Sequence, residues 1–438
     1  MRKILCLALL VALGAHSWAQ SVEEDFGRNI HLSGSNHLAY PGPARKALTP
    51  SPEGKSPFYI SHYGRHGSRY LISPNDCDMP YYALLKADSA GVLTMVGKDV
   101  VRRLDIVRKE SEGRLGELSP LGALQHREIA RRMYERFPEV FQDSVWVDAK
   151  STVVIRCILS MENELLELAR LNPRLRFKHD ASKHDMYYMN YDDTTLFSQR
   201  RNAVSRKVYE DFVAEHIDTS HLLQQLFTDI DYAKANIDID NLYAKLFKVA
   251  SIIQNTEARD RVTLYDLFTD KDVYNSWRCS NLRWYLDYGF APANGACQPY
   301  AQRNLLRKII EEADSCIALE HPGATLRFGH DTMVLPLTCL MGINGYDLQT
   351  DDYEHLDDKG WIDYKVFPMG SNIQLIFYRH DASDEDVVVK VLLNEDEATL
   401  PIATDIAPYY HWKDVREYYL KKIDDYEASL TPTLPEGE

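Results

Sequence analysis

Two guanidinium groups and one imidazole lie within five residues at Arg65-His66-Gly67-Ser68-Arg69. The planar, forked donors of Arg65 and Arg69 match the oxygens of a phosphate. An imidazole held between them can attack phosphorus as a covalent nucleophile. Gly67 lets the backbone approach a neighbour closely. The run before the cluster, Phe58-Tyr59-Ile60-Ser61-His62-Tyr63, is aromatic and β-branched and reads as a strand. A helical region follows at about 81–110. The cluster therefore falls at the carboxyl end of a strand, where open α/β sheets bind ligands, and a helix N-terminus there favours an anion. The competing reading of these residues alone is a solvated basic turn with an incidental histidine.

The elements around the cluster suggest a frame. Ser119 suits an N-cap and Pro120 a first helical position, so a helix is expected from there to about Phe137. Val145–Val147, Val153–Ile155 and Leu175–Phe177 read as strands, and residues 161–171 carry helical periodicity. From about 182 to 315 the pattern is polar, aromatic and helical. Strand character resumes at Thr325–Phe328, then Gly329-His330-Asp331 opens a helix running through Met341. Residues 371–379 and 387–393 read as strands joined by an acidic turn, and 409–425 as a last helix. The fold class expected is α/β: an open, mostly parallel sheet flanked by helices, with an inserted, mainly helical domain. The division is a leader at 1–19, an irregular Ser/Gly/Pro/Asn-rich arm at 20–55, a core at 56–181 and 316–428, the insert at 182–315, and a loose tail at 429–438.

Met1-Arg2-Lys3, the apolar run from Ile4 to Gly14 and the small residues near Ala19 form a secretory leader with cleavage before Gln20. The apolar run is too short to span a bilayer, so the expected location is periplasmic or secreted. The net charge of −15 would become −17 on losing Arg2 and Lys3. That acidity argues against a nucleic-acid partner. It does not exclude an anionic substrate, because net charge describes a surface and not a pocket. Six cysteines would remain, and an exported chain permits disulfides. Cys279 and Cys297 flank a Pro/Gly-bearing loop and form the favoured pair. Cys157, Cys316 and Cys339 read as free thiols in apolar or helical surroundings. Without a CxxC, neither a zinc ribbon nor a redox motif is supported.

Gly64-Arg65-His66-Gly67-Ser68-Arg69 resembles the signature of the histidine phosphatase superfamily, in its acid-phosphatase and phytase branch. Arg156-Cys157-Ile158-Leu159-Ser160 resembles that family's R-x-x-x-S segment, which delivers another phosphate-binding arginine. Gly329-His330-Asp331-Thr332 resembles its late His-Asp motif, and Leu118 to Gln125 its L-T-x-x-G-x-x-Q helix opening. Tyr70 after the signature and Cys157 after Arg156 look most like the multiple inositol polyphosphate phosphatases. That subfamily usually carries His-Ala-Glu at the late motif, whereas His330-Asp331-Thr332 is the form of bacterial phytases and glucose-1-phosphatases. Leu71 stands where a proline is often found.

Four His-Asp dipeptides compete for the late motif, and position chooses among them. His380-Asp381 falls in an acidic turn, and His184-Asp185 in a polar stretch opening the insert. His179-Asp180 follows a strand candidate and is the nearest rival. His330-Asp331 follows an apolar strand, is preceded by Gly329 and opens a helix.

The resemblance implies that His66 forms a phosphohistidine while Arg65, Arg69, Arg156 and His330 hold the non-bridging oxygens. Asp331 would protonate the leaving oxygen and then help activate water. No metal or other cofactor is implied, since the arginines supply the positive charge. A carboxylic acid with an ordinary pKa near 3.9 as proton donor implies an acidic optimum. The expected function is an exported phosphomonoesterase acting on inositol polyphosphates. The alternatives are a broad-specificity or glucose-1-phosphatase-like enzyme, and a non-catalytic anion-binding protein. The partner expected is a small phosphate ester, and nothing in the spacing specifies an oligomer. The insert is expected to set specificity, with Lys178, Lys183 and Tyr187–Tyr191 placed either to contact substrate or to pack as an aromatic cluster. A cationic cleft within an acidic exterior is expected around His66.

Overall fold

The computed structural model describes residues 21–430 apart from 46 and 192. The expected leader at 1–19, and residues 431–438 of the expected tail, lie outside the described residues. An eight-stranded sheet forms from β1 (Ser56–Arg65), β2 (Trp146–Ser151), β3 (Arg176–Asp180), β4 (Gly323–Gly329), β5 (Asn372–Arg379), β6 (Val388–Leu393), β7 (Asp396–Ala398) and β8 (Tyr409–His411). Its order is β3-β2-β4-β1-β5-β6-β7, with β8 also on β6. The half β3-β2-β4-β1 is parallel. From β1 to β5 onward every pairing is antiparallel. The α/β architecture is the one expected, and its parallel character is confined to the half that carries the motifs. The sheet as a whole is mixed because β5 and β6 are joined by a short turn, which parallel neighbours cannot use.

Helices cover both faces of the sheet. Tyr59 and Tyr63 pack on one side with the helices Arg303–Ile317, Asp331–Met341 and Trp412–Leu430. Ile60 packs on the other with Pro120–Arg136 and Ile155–Leu171. This is the two-residue period of a strand buried on both faces. Beside the sheet a third cluster joins Val22, Phe26, Leu84, Leu104, Leu246 and Trp277. The helical body thus draws on the N-terminal segment and the helices Asn75–Ser89 and Met95–Ser111 as well as the region after β3. Among the described residues no strand lies between β3 and β4, and no helix is long and apolar enough to cross a membrane.

Several local expectations change. The arm is not irregular throughout: Val22–Arg28 is an α-helix and Ile30–His37 a 3₁₀ segment. Ser21 accepts from the Glu24 N–H, and Glu23, Glu24 and Asp25 occupy the first turn, where anions are favoured. Seven residues are too few for periodicity to show, yet Val22 and Phe26 are four apart and both buried. Val153–Ile155 is not a strand. The chain leaves the sheet at Ser151, Val154 caps the helix Ile155–Leu171, and Val153 and Ile155 are exposed. The region at 81–110 is two helices, broken at Gly91 with φ +74° and restarted by the Thr94 cap. Tyr409–His411 is a strand, and the last helix begins at Trp412. The Cys279–Cys297 disulfide is not formed. Cys279 is buried in the helix Asp270–Tyr288, Cys297 faces the Gln199 side chain, and both are free thiols.

Candidate active site

Parallel pairing brings the three motifs to one edge of the sheet. Arg65, the last residue of β1, lies opposite Gly329, the last residue of β4. Ser151, the last of β2, lies opposite Phe328. The chain then departs through His66, Thr152 and His330 from three adjacent carboxyl ends. Arg65 is fully buried. Its Nη1 donates to the carbonyls of Asn36 and Phe367 at 2.7 Å each, and its Nη2 meets Asp331 Oδ2 at 2.9 Å. Asn36 Nδ2 also donates to Asp331 Oδ2, at 2.9 Å. Asn36 therefore ties the N-terminal segment to both.

The loop after His66 is held from below by two helices. Gly67 N–H donates to Ser160 Oγ at 3.1 Å, and Ser68 N–H to Gln125 Oε1 at 2.9 Å. Ser119 N–H donates to the Ser68 carbonyl at 2.8 Å. A Cβ on Gly67 would lie 2.5 Å from the Gly122 carbonyl oxygen, so helix and loop touch backbone to backbone. His66 Nδ1 lies 2.8 Å from the Gly67 carbonyl. A carbonyl can only accept, so Nδ1 carries the proton and Nε2 keeps its lone pair.

Arg69 donates through Nη1 to the Tyr70 carbonyl, while its buried Nε has no protein acceptor. Arg156, in the first turn of Ile155–Leu171, contacts the Gly116 carbonyl at 3.4 Å, and its Nε likewise has no protein acceptor. The His330 ring stands 5.8 Å from that of His66, with Nε2 3.2 Å from Thr152 Oγ1 and the Cys157 thiol 3.8 Å away. All six residues singled out from the sequence thus meet at one place. The rival pairs do not. His179 faces Glu162 on exposed β3, His184 is exposed at the start of the helical region, and His380-Asp381 is exposed between β5 and β6. Lys178 pairs with Asp148, and Tyr188 and Met189 are buried in the core.

Burial and then the charges of Arg65, Arg156 and Arg69 push the His66 imidazole well below its usual pKa, so it is neutral. Burial and Arg156 bring His330 down to about 4. Burial and Arg65 lower Arg69 to about 9. Burial pushes the Asp331 carboxyl upward, but Arg65, the Asn36 bond and Arg69 outweigh it and hold it at about 2. The arrangement is a neutral imidazole whose Nε2 lone pair is free of protein hydrogen bonds, three guanidinium groups and an ionised carboxylate. It can cradle a phosphoryl group and attack it.

The family model of the histidine phosphatase superfamily (branch 2) matches residues 65–394. The chain belongs to that superfamily. It is a phosphoric monoester hydrolase by that membership, and its fold recurs in solved phosphatases. A Bifidobacterium longum multiple inositol polyphosphate phosphatase, in complex with inositol hexasulfate, is similar at 16% identity and TM-score 0.75, over 88% of this chain and 97% of that one. The phytase from D. castellii is similar at 15% identity and TM-score 0.65, over 94% and 90%. The Hafnia alvei phytase is similar at 13% identity and TM-score 0.51, over 85% and 98%. No curated protein matches the chain.

In this histidine phosphatase a cavity of about 730 Å³ adjoins the site, its wall including Asn36, His37, Tyr209, Lys248 and Arg283. His37 lines the cavity, and burial and then the charges of Arg69, Lys248 and Arg65 push its imidazole well below its usual pKa. Lys248 shares the buried Asp76 with Lys245. The Arg283 guanidinium lies 3.6 Å over the Tyr209 ring. Asp240 also lines the space. Sequence reasoning did not find Asn36, His37, Lys248 or Arg283. The first two sit in a short segment without periodicity, and the others look like any cations on amphipathic helices. Ser160 and Gln125 were present as motif letters, but only packing reveals what they hold.

Proposed function

We propose that this phosphatase hydrolyses inositol polyphosphates of the phytate class through a phosphohistidine on His66, outside the cytoplasm. The observation that carries the catalytic reading is the His66 imidazole, neutral, with Nε2 free among Arg65, Arg69 and Arg156 and with Asp331 beside Arg65. His66 Nε2 attacks phosphorus, and the ester oxygen departs with a proton delivered through Asp331. The three arginines and His330 take the charge of the transferring group. Water then attacks the phosphohistidine, with Asp331 accepting its proton. The substrate class is supported by the similarity to a phosphatase solved with inositol hexasulfate and to phytases. A cationic cavity roomy enough for the rest of a polyphosphate supports it from this chain's own residues. The leader at 1–19 supports export, and a mature chain starting at Gln20 outside the cytoplasm is its check.

Purified protein should release phosphate from phytate, with inhibition by vanadate and none by chelator. His66→Ala should lower the rate on the order of 10⁴-fold or more. Retained turnover in that variant would remove His66 from the mechanism. Glucose 1-phosphate turned over as well as phytate would favour a sugar phosphatase, and tight phosphate binding without turnover an anion-binding protein.

A further inference from the structure

Beneath the site, His126 and Glu164 form a closed pair. His126 Nδ1 lies 2.7 Å from Glu164 Oε1, and the side chains are 1% and 0% exposed. His126 Nε2 and Glu164 Oε2 are buried without a hydrogen-bond partner. His126 belongs to Pro120–Arg136 and follows Gln125, the acceptor for the Ser68 N–H. Glu164 belongs to Ile155–Leu171, one turn beyond Ser160, the acceptor for the Gly67 N–H. The His126 ring also stands 5.9 Å from Phe328, the residue before Gly329 at the end of β4.

A buried polar pair is a weak source of stability, since well-packed apolar residues of similar size hold two helices at least as well. What it adds is direction. A hydrogen bond fixes how far one helix slides along the other, whereas apolar contacts tolerate small shifts. Here each helix holds one amide of the loop that aims His66, so a slide between them would move the nucleophile. A misplacement of about 1 Å can cost about 10²-fold in rate. The same helices are also bridged by Arg127–Asn163 and Arg131–Glu167 on the solvent side. Arg127–Asn163 lies beside the buried pair with an exposed arginine, and Arg131–Glu167 lies about a turn further along both helices.

We propose that His126 and Glu164 are positioning residues for the phosphoryl-transfer step, setting the register of the two helices that present His66. The proposal rests on His66 as nucleophile. The test compares Glu164→Gln, Glu164→Ala, the apolar double variant His126→Leu/Glu164→Leu and the solvent-side control Arg131→Ala. The measurements are kcat and KM on p-nitrophenyl phosphate, inhibition by vanadate and by inorganic phosphate, and the melting midpoint. Glu164→Gln keeps an acceptor for Nδ1–H and should retain kcat within about threefold. Glu164→Ala and the double variant should lose about 10- to 100-fold in kcat, with KM nearly unchanged. Their vanadate affinity should fall in step with kcat while phosphate inhibition changes little, because vanadate reports the transition-state geometry. Arg131→Ala should keep wild-type kcat. The double variant removes both polar groups, so it remains foldable if Glu164→Ala is not. A folded double variant with wild-type kcat, or one that loses kcat without losing vanadate affinity, overturns the proposal. Activity surviving in His66→Ala would instead overturn the assignment of the nucleophile.

Discussion

The pKa values of His66 and Asp331 fix when each group is ready. A histidine with a depressed pKa takes a proton only below that value, so His66 stays neutral as the pH falls through 6.5. As the proposed nucleophile it would therefore be competent in acid. Asp331, held at about 2 by Arg65, Asn36 and Arg69 against the effect of burial, carries no proton in the free enzyme at moderate pH. A bound phosphate competes for Arg65 and sets negative charge beside Asp331, and both effects raise its pKa. An ordinary carboxyl as proton donor would by itself place the optimum in acid. On the proposed mechanism, activity in acid would rest on His66, and an acid function of Asp331 would depend on the bound substrate. The kcat/KM profile should show no loss attributable to His66 as the pH falls through 6.5. Asp331→Asn should lower kcat about 10²- to 10⁴-fold on alkyl phosphates, and much less on p-nitrophenyl phosphate, whose leaving group needs no proton. Equal losses on both substrates would remove the acid role. The identities of these residues were legible in the sequence, because short motifs keep them at fixed chain positions. Their ionisation was not, because it depends on burial and, for Asp331, on Arg65 and Asn36 arriving from distant parts of the chain.

Each strand that carries a motif was recognisable, because β1 and β4 are buried on both faces and read as apolar or aromatic runs. The Pro120–Arg136 helix was recognisable from its cap. The failures share a cause. Val153–Ile155 looks like a strand because β-branched residues favour strands, but the next turn had to start the helix that supplies Arg156. The N-terminal segment looks irregular because its order comes from the helical cluster it covers. How the loop is clamped was likewise invisible, since Gly67 and Gly122 are distant in sequence and meet only in the fold. A Cβ on Gly122 would fall inside the envelope of the Ser68 carbonyl oxygen. Alanine is the better helix former by up to about 1 kcal/mol. Gly122→Ala should nevertheless destabilise by about 1–3 kcal/mol, as overpacking does, and should lower kcat by displacing the loop. Thermal unfolding with kcat on p-nitrophenyl phosphate checks this. A raised melting point with wild-type kcat would show that the contact is slack.

At the scale of the molecule, a chain of net charge −15 concentrates cations where they act. Arg65, Arg69 and Arg156 surround His66, and the adjoining cavity adds Lys248 and Arg283. Asp76 is shared by Lys245 and Lys248, so that group of three keeps a net positive charge. Arg283 stacks on the Tyr209 ring. Asp240 on the same wall offsets part of that positive charge. On the proposed function a monophosphate would fill only the arginine site, whereas an inositol polyphosphate would carry further phosphates into the cavity. Lys248→Met and Arg283→Gln should each raise KM for phytate by about 10-fold, the scale of one charge-assisted contact. The same variants should change kcat/KM for p-nitrophenyl phosphate far less. Added salt should weaken phytate more than the small ester, because several charges are screened together. An equal loss on both substrates would mean that the cavity serves the fold of the site and leaves the distal phosphates in solvent. An unchanged KM for phytate in both variants would place them on another face of the pocket.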